Sequence, residues 1–183
     1  MGLGSDSARR ALRSAPTGGL GTWRQAVDEL YGGSTARAAE AQGVSRRTVQ
    51  RWMASDEGRS VQSRRANPAR LGQLREGRAL DRIARGETGA RYNFAGGVEL
   101  SAGGKRGRTG RRSTQSRDTS GFQEADPDGL QAWARAIQAG DEEGAERAIS
   151  EMMFGPESGY HIPPSPSYPS ITRIDRFEVE FFD

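Results

Sequence analysis

Residues 39–52 read AEAQGVSRRTVQRW, and their spacing restricts the local fold more than any other stretch of the chain. Ala39 puts a small side chain where two helices would cross closely, and Gly43 follows four residues later, where a left-handed turn would be needed. Val44, Val49 and Trp52 fall one, six and nine residues after that glycine, so the key positions of a helix-turn-helix are met in order. Ser45 is placed to cap the second helix, which leaves Arg46, Arg47 and Gln50 facing outward at the helix start, where such helices touch base edges. Arginine reads guanine bidentately and glutamine reads adenine, while Arg51, Thr48 and Ser45 suit phosphate oxygens. The spacing predicts a helix that lies in a DNA groove. The competing reading is a structural three-helix unit with a solvated cationic face.

Apolar periodicity extends this start into a fold class. Thr22 reads as the cap of an earlier helix with Trp23, Val27, Leu30 and Tyr31 on one face, ended by Gly32-Gly33, and Ser34 caps the next helix, TARAAEAQ. After a polar loop from Ser55, Asn67-Pro68 opens a helix running to about Arg85, with Gly77 as an interruption. Residues 91–101 predict two short strands around Gly96-Gly97, or one bulged hairpin. Asp126-Pro127 and Gly140-Asp141 open two more helices that read as a helical hairpin, and Phe177, Val179 and Phe181 alternate as a strand does. The expectation is a mainly α chain with a small β component: an N-terminal helix-turn-helix bundle, a basic flexible middle segment, and a C-terminal helical hairpin with short strands. Its boundaries fall at a mobile basic arm over 1–20, in which only Ala8 to Leu12 would make a helical turn, a DNA-binding domain over 21–88, short strands and a basic segment over 89–121, and an acidic region over 122–183.

Charge divides along the same line. Residues 1–117 hold 23 Lys+Arg against 10 Asp+Glu, and residues 118–183 hold 4 against 14. A basic front and an acidic back fit a nucleic-acid binder joined to an interaction or assembly module. Of the cationic residues only Lys105 is a lysine, which GC-rich coding would explain, although coding bias does not explain where the arginines sit. The apolar fraction, 33%, is low enough to predict that part of the chain is loop or disordered. With no cysteine and a single histidine, His161, thiolate and histidine metal sites are excluded, and no bound cofactor is expected. No apolar run is long enough to cross a bilayer, and residues 1–19 lack the apolar block of a secretory signal. These features predict a cytoplasmic, nucleoid-associated protein with no membrane partner.

The segment KRGRTGRRSTQSRDTS sets Thr109, Ser113, Thr114, Ser116, Thr119 and Ser120 among Lys105, Arg106, Arg108, Arg111, Arg112 and Arg117. With no apolar side chain it cannot form a core element, so free in solution it is expected to be disordered. The plainer reading is an arginine-rich arm that neutralises phosphates, joined by Arg9, Arg10 and Arg13 if the N-terminal arm also meets DNA. The sharper reading makes one hydroxyl an acceptor for nucleotidyl transfer, with arginines screening the phosphate charge. Regulatory phosphorylation is a third use of the same chemistry.

Three pieces, STARAAEAQGVSRRTVQRW, AIQAGDEEGAERAISEMMFGPESG and SITRIDRFEVEFFD, in this order and in a chain of this length, resemble the telomere terminal proteins of linear Streptomyces chromosomes and plasmids. The resemblance runs from about Trp23 to Asp183, apart from the stretch between about Asp56 and Ser120. It implies covalent attachment to the 5′ ends of a linear replicon through a side-chain hydroxyl, and priming of the DNA synthesis that fills recessed ends. It also implies two partners, a telomere-associated DNA-binding protein and a DNA polymerase. The family's attachment residue is a threonine in the middle of the chain, which implies Thr114 first and Thr109 second.

Another class of function fits the same helices: a transcriptional repressor or plasmid copy-control protein that binds DNA reversibly. A turnover enzyme is poorly supported, since Asp141-Glu142-Glu143 reads as a helix start stabilised by its dipole and His161 has no evident partner. For the closing strand, self-association into a homo-oligomer competes with closure of an internal sheet against residues 91–101, and the latter is the plainer expectation.

Overall fold

Short polar side chains set the helix starts. In the computed structural model, which describes residues 8, 10–12, 20–56, 67–101, 112–159 and 170–182, α1 (Trp23–Tyr31) begins at Thr22. The Thr22 hydroxyl accepts from Gln25 N at 3.2 Å while Gln25 Oε1 accepts from Thr22 N at 3.0 Å, a reciprocal cap. Gly32 ends the helix in the left-handed region, φ 58°, where a side chain would be strained. Ser34 caps α2 (Thr35–Ala41) through Arg37 N, and Ser45 Oγ accepts from Thr48 N at 3.2 Å at the start of α3 (Arg46–Asp56). Such caps are each worth about 1 kcal/mol.

The chain divides into two compact units, one of them Pro16–Ala79. Its core gathers Leu20, Trp23, Ala26 and Val27 with Ala38, Ala39, Val49 and Trp52. The Trp23 and Trp52 rings lie 4.4 Å apart, tilted by 32°. Leu71 and Leu74 of α4 (Asn67–Ala84) pack on the same core. Gly77 does not interrupt α4: the flanking leucines and the buried Ala79, Leu80 and Ile83 hold a continuous helix against the roughly 1 kcal/mol that a mid-helix glycine costs.

The second unit, Met1–Ala15 with Leu80–Asp183, is built on a four-stranded antiparallel sheet. β1 (Gly89–Ser101) is central, with β4 (Ser170–Phe182) along one side and β2 (Arg112–Asp118) and β3 (Gln123–Glu124) on the other. Residues 91–101 are therefore neither two strands nor a hairpin but part of one long strand running through Gly96-Gly97. Residues 112–118, expected to be disordered, form a strand. Backbone pairing to β1 holds them, which needs no apolar side chain. The end of β2 is tied by Thr119, buried, whose hydroxyl accepts from Phe94 N at 3.0 Å and donates to Gly121 O at 2.8 Å.

β4 starts earlier than its Phe177/Val179/Phe181 alternation suggests. Ile171, Ile174 and Phe177 are spaced by three, which in a regular strand would send them to alternating faces. The register against β1 shifts twice: Ala95 faces Arg176 and Gly96 faces Ile174, then Gly97 faces Arg173 and Val98 faces Ile171. The extra residues Asp175 and Thr172 reset the alternation at each bulge, so that Ile171, Ile174, Phe177, Val179 and Phe181 share one face and Arg173, Arg176, Glu178 and Glu180 the other. The glycines opposite are required by this approach. A Cβ on Gly96 would collide with the Arg173 carbonyl oxygen, and one on Gly97 would lie 2.7 Å from Thr172 Oγ1.

α5 (Pro127–Ala139) and α6 (Glu142–Phe154) form the expected hairpin, capped by Asp126 and Asp141. Gly129 lets the helices cross closely, since a Cβ there would strike the Met152 backbone. The hairpin belongs to the apolar side of the sheet: Trp133 stacks on Phe181 with ring centroids 6.3 Å apart, and the buried Tyr92 hydroxyl donates to Met153 O at 2.5 Å. Ala8 and Leu12, joined by a Leu12 N to Ala8 O hydrogen bond of 3.2 Å, are also buried; residues 1–7, 9 and 13–19 of the arm expected to be mobile lie outside the described residues.

Candidate nucleic-acid interface

The turn between α2 and α3 is fixed by backbone bonds. Gly43 sits at φ +61°, its N–H donates to Glu40 O, and Val44 N–H donates to Ala39 O at 2.9 Å. From there α3 turns Val49, with no exposed surface, and Trp52, 5% exposed, into the core. Helical geometry then sends Arg46, Arg47, Gln50 and Arg51 to solvent, and all four are exposed, with Ser45 exposed beside them and Thr48 half-buried. The sequence-predicted reading residues are thus gathered on the first two turns of one helix.

Their hydrogen bonds separate them into two kinds. Arg46 Nε donates to Thr35 Oγ1 at 2.9 Å, bracing α3 on the first turn of α2. Ser45 Oγ and Thr48 Oγ1 share a hydrogen bond of 2.9 Å, and Arg51 Nη2 donates to Thr48 Oγ1 at 3.3 Å. Arg47 and Gln50, one helical turn apart, make no side-chain hydrogen bond or ion pair among the described residues. None of Arg37, Arg46, Arg47 and Arg51 meets a carboxylate among the described residues. Four exposed guanidinium groups on two adjacent helices, with no counter-charge among the described residues, favour a polyanion.

Sequence reasoning missed the residue that ties this surface to α4. Arg70 Nη1 donates to Gln42 O, the carbonyl at the end of α2, at 2.9 Å, and its guanidinium carbon lies 5.5 Å from the centroid of the Trp52 ring. Gln42 in turn donates from Nε2 to the Tyr31 hydroxyl at 3.1 Å. Arg70 immediately precedes Leu71, the first apolar contact of α4, and that adjacency was the available signal.

Comparison with family models, curated proteins and solved structures finds no match. The interface therefore rests on its own geometry.

The second predicted group is only partly described. Lys105, Arg106, Arg108, Thr109 and Arg111 lie outside the described residues, as do Arg9, Arg13 and His161. The backbones of Arg112 and Thr114 are in β2, opposite Ser101 and Glu99, while their side chains lie outside the description. Thr119 is brought into the interior instead: at 6% exposure, with its hydroxyl bonded to Phe94 and Gly121, it is committed to the fold. Among the described residues no cluster of His, Asp or Glu has the makings of a metal site, and no helix is long and apolar enough to cross a membrane.

Proposed function

We propose that the chain binds duplex DNA through α3 and serves as a terminal protein of a linear replicon, holding its 5′ ends and priming the synthesis that fills them. The observation that carries the DNA-binding part is the exposed pair Arg47 and Gln50, without a side-chain partner among the described residues, on a helix whose opposite face is locked by Val49 and Trp52. Arg47 and Gln50 read base edges in the major groove, while Ser45, Arg46, Thr48 and Arg51 hold phosphates. Lys105, Arg106, Arg108, Arg111 and Arg112 add sequence-independent phosphate contacts.

The terminal-protein part is supported by the resemblance of the three segments and by a hydroxyl-bearing basic segment between the two helical parts of the chain. In this reading the Thr114 oxygen forms a bond to the α-phosphorus of a deoxynucleoside triphosphate. Pyrophosphate leaves, and the hydroxyl proton passes to solvent. Thr109 is the second candidate. The protein becomes nucleotidylated by a partner DNA polymerase rather than turning over substrate itself, and a telomere-associated DNA-binding protein completes the assembly. It acts in the cytoplasm, at the nucleoid, with no bound cofactor.

One observation favours a reversible repressor instead. The backbone of residues 112–118 is a sheet strand paired to β1, a structural role that needs no transfer chemistry. The test is incubation of the full chain with labelled deoxynucleotides, a telomere-type template and a host extract supplying polymerase. Label that survives denaturing electrophoresis and is lost in Thr114→Ala supports the primer. Reversible DNA binding without label supports the repressor.

A further inference from the structure

The long outer edge of β4 has no strand paired to it among the described residues, and its side chains are ordered in a way that specifies a partner. Along the charged face the order is Arg173, Arg176, Glu178, Glu180, two cations followed by two anions. Along the other face the order is Ile171, Ile174, Phe177, Val179, Phe181, apolar throughout. Phe177 stands at the midpoint of both series.

We propose that β4 pairs antiparallel with β4 of a second copy of this chain, about a two-fold axis through Phe177. A two-fold contact is self-complementary, so each residue meets its counterpart twice. With Asp175 and Thr172 bulged out of the new pairing as they are against β1, antiparallel pairing about Phe177 sets Arg176 opposite Glu178 and Arg173 opposite Glu180, in both directions. On the opposite face it sets Ile174 by Val179, Ile171 by Phe181 and Phe177 by its own copy, so the two apolar faces become one continuous sheet face. Directly opposed residues of antiparallel strands have Cβ atoms about 5 Å apart, close enough for each of these pairs to interact.

The charge order also rejects the alternatives. Parallel, in-register pairing would set arginine on arginine and glutamate on glutamate. Sliding the axis to Val179 would set Glu178 against Glu180. Edge strands are commonly protected by bulges and charges that repel any incoming strand. Here both bulges, at Thr172 and Asp175, fall in the arginine half, and the glutamate half runs in regular register against β1 from Phe182 back to Arg176. Each bulged half thus meets a regular half in the dimer. Among the described residues the intramolecular contacts of these side chains leave room for a second partner: Arg176 holds Asp118 at 2.9 Å and Asn93 at 3.0 Å yet is 41% exposed, Arg173 holds only Asp175, and the Glu180 side chain holds nothing.

The experiment is sedimentation velocity on the full chain over a range from low micromolar to several hundred micromolar, with two single variants at exposed positions. Wild type is expected to dimerise reversibly. Glu180→Arg, which creates two arginine–arginine contacts per dimer, is expected to weaken association by about tenfold or more, as is Arg173→Glu, which creates two glutamate–glutamate contacts. Mixed in equal amounts, the two variants present only opposite charges to each other and are expected to dimerise like wild type. That rescue requires both variants to be folded. A wild type that stays monomeric throughout overturns the proposal. So does a dimer indifferent to Glu180→Arg, or a mixture no more associated than its components.

Discussion

The same residue, arginine, is used in two opposite ways in the two units. On the sheet, Arg91 is paired with Glu124 at 3.0 Å, Arg173 with Asp175 at 2.9 Å and Arg176 with Asp118 at 2.9 Å. On α2 and α3, Arg37, Arg46, Arg47 and Arg51 have no carboxylate within reach among the described residues. Exposed ion pairs add little stability, so the sheet pairs matter less for holding the fold than for neutralising its outer face. Leaving the helical arginines unneutralised concentrates positive potential where a polyanion would dock. Net charge alone conceals this distinction, because pairing is local.

The largest effect expected within either unit is on the platform beneath the unpaired arginines. Trp52→Ala removes a buried ring packed 4.4 Å from Trp23 and should destabilise the helical unit by about 3–5 kcal/mol. Hydrogen exchange should show α1 to α3 losing protection and DNA binding lost with it, while β1 amides stay protected. Equal loss of protection in β1 would mean that the two units fold as one and the comparison is between faces rather than units.

Gly96→Val is the counterpart in the sheet. The added side chain meets the Arg173 carbonyl, and the strain should cost about 2–3 kcal/mol in chemical denaturation. Exchange protection should fall in β1 and β4 and hold in α1 to α3. Unchanged stability would show that the bulge does not need a glycine.

How far these features are legible in the sequence follows from how local their causes are. The caps at Thr22, Ser34, Ser45, Asp126 and Asp141 act within three residues of themselves, and all were readable. The helix-turn-helix spacing is equally local. Gly96-Gly97 reads as a turn because glycine usually marks one, yet here it admits a bulged strand more than seventy residues further along the chain. β2 carries no apolar pattern at all, since its stability is backbone pairing to β1. Bulges disguise the first half of β4 as a three-residue period. At the candidate site the exposed positions of Arg46, Arg47, Gln50 and Arg51 were legible, while the brace at Arg70 was not, because its acceptor Gln42 O is a backbone atom twenty-eight residues away.

A more direct comparison of the two kinds of arginine is a matched pair of alanine variants. Arg47→Ala and Gln50→Ala should each weaken binding to a preferred DNA site by about 1–3 kcal/mol and blur discrimination, while changing stability by less than about 0.5 kcal/mol. Arg91→Ala removes a guanidinium already neutralised by Glu124 and should leave fluorescence-anisotropy affinities unchanged. If Arg91→Ala weakens binding as much as Arg47→Ala, pairing is not what separates the two surfaces.

The smallest expected effect tests an unpaired charge of the other sign. Glu151 on α6 meets no cation among the described residues, and unlike Arg47 it is partly buried; its carboxyl is raised above the usual range by burial, then by the negative charges of Asp126 and Asp128. The folded protein therefore holds the Glu151 proton more tightly than the unfolded chain does. The stability this confers is fully present below the ordinary carboxylate pKa and is lost as pH rises through the raised value, so at neutral pH the ionised group opposes folding. Glu151→Gln should raise the melting temperature slightly at neutral pH, and the difference from wild type should vanish once the pH falls below the ordinary carboxylate range. A gain that persists unchanged in acid would come from helix propensity or packing. No gain at either pH would mean that water screens Glu151 as well as it screens Arg47, and that neither the missing partner nor this degree of burial makes an unpaired charge costly in this fold.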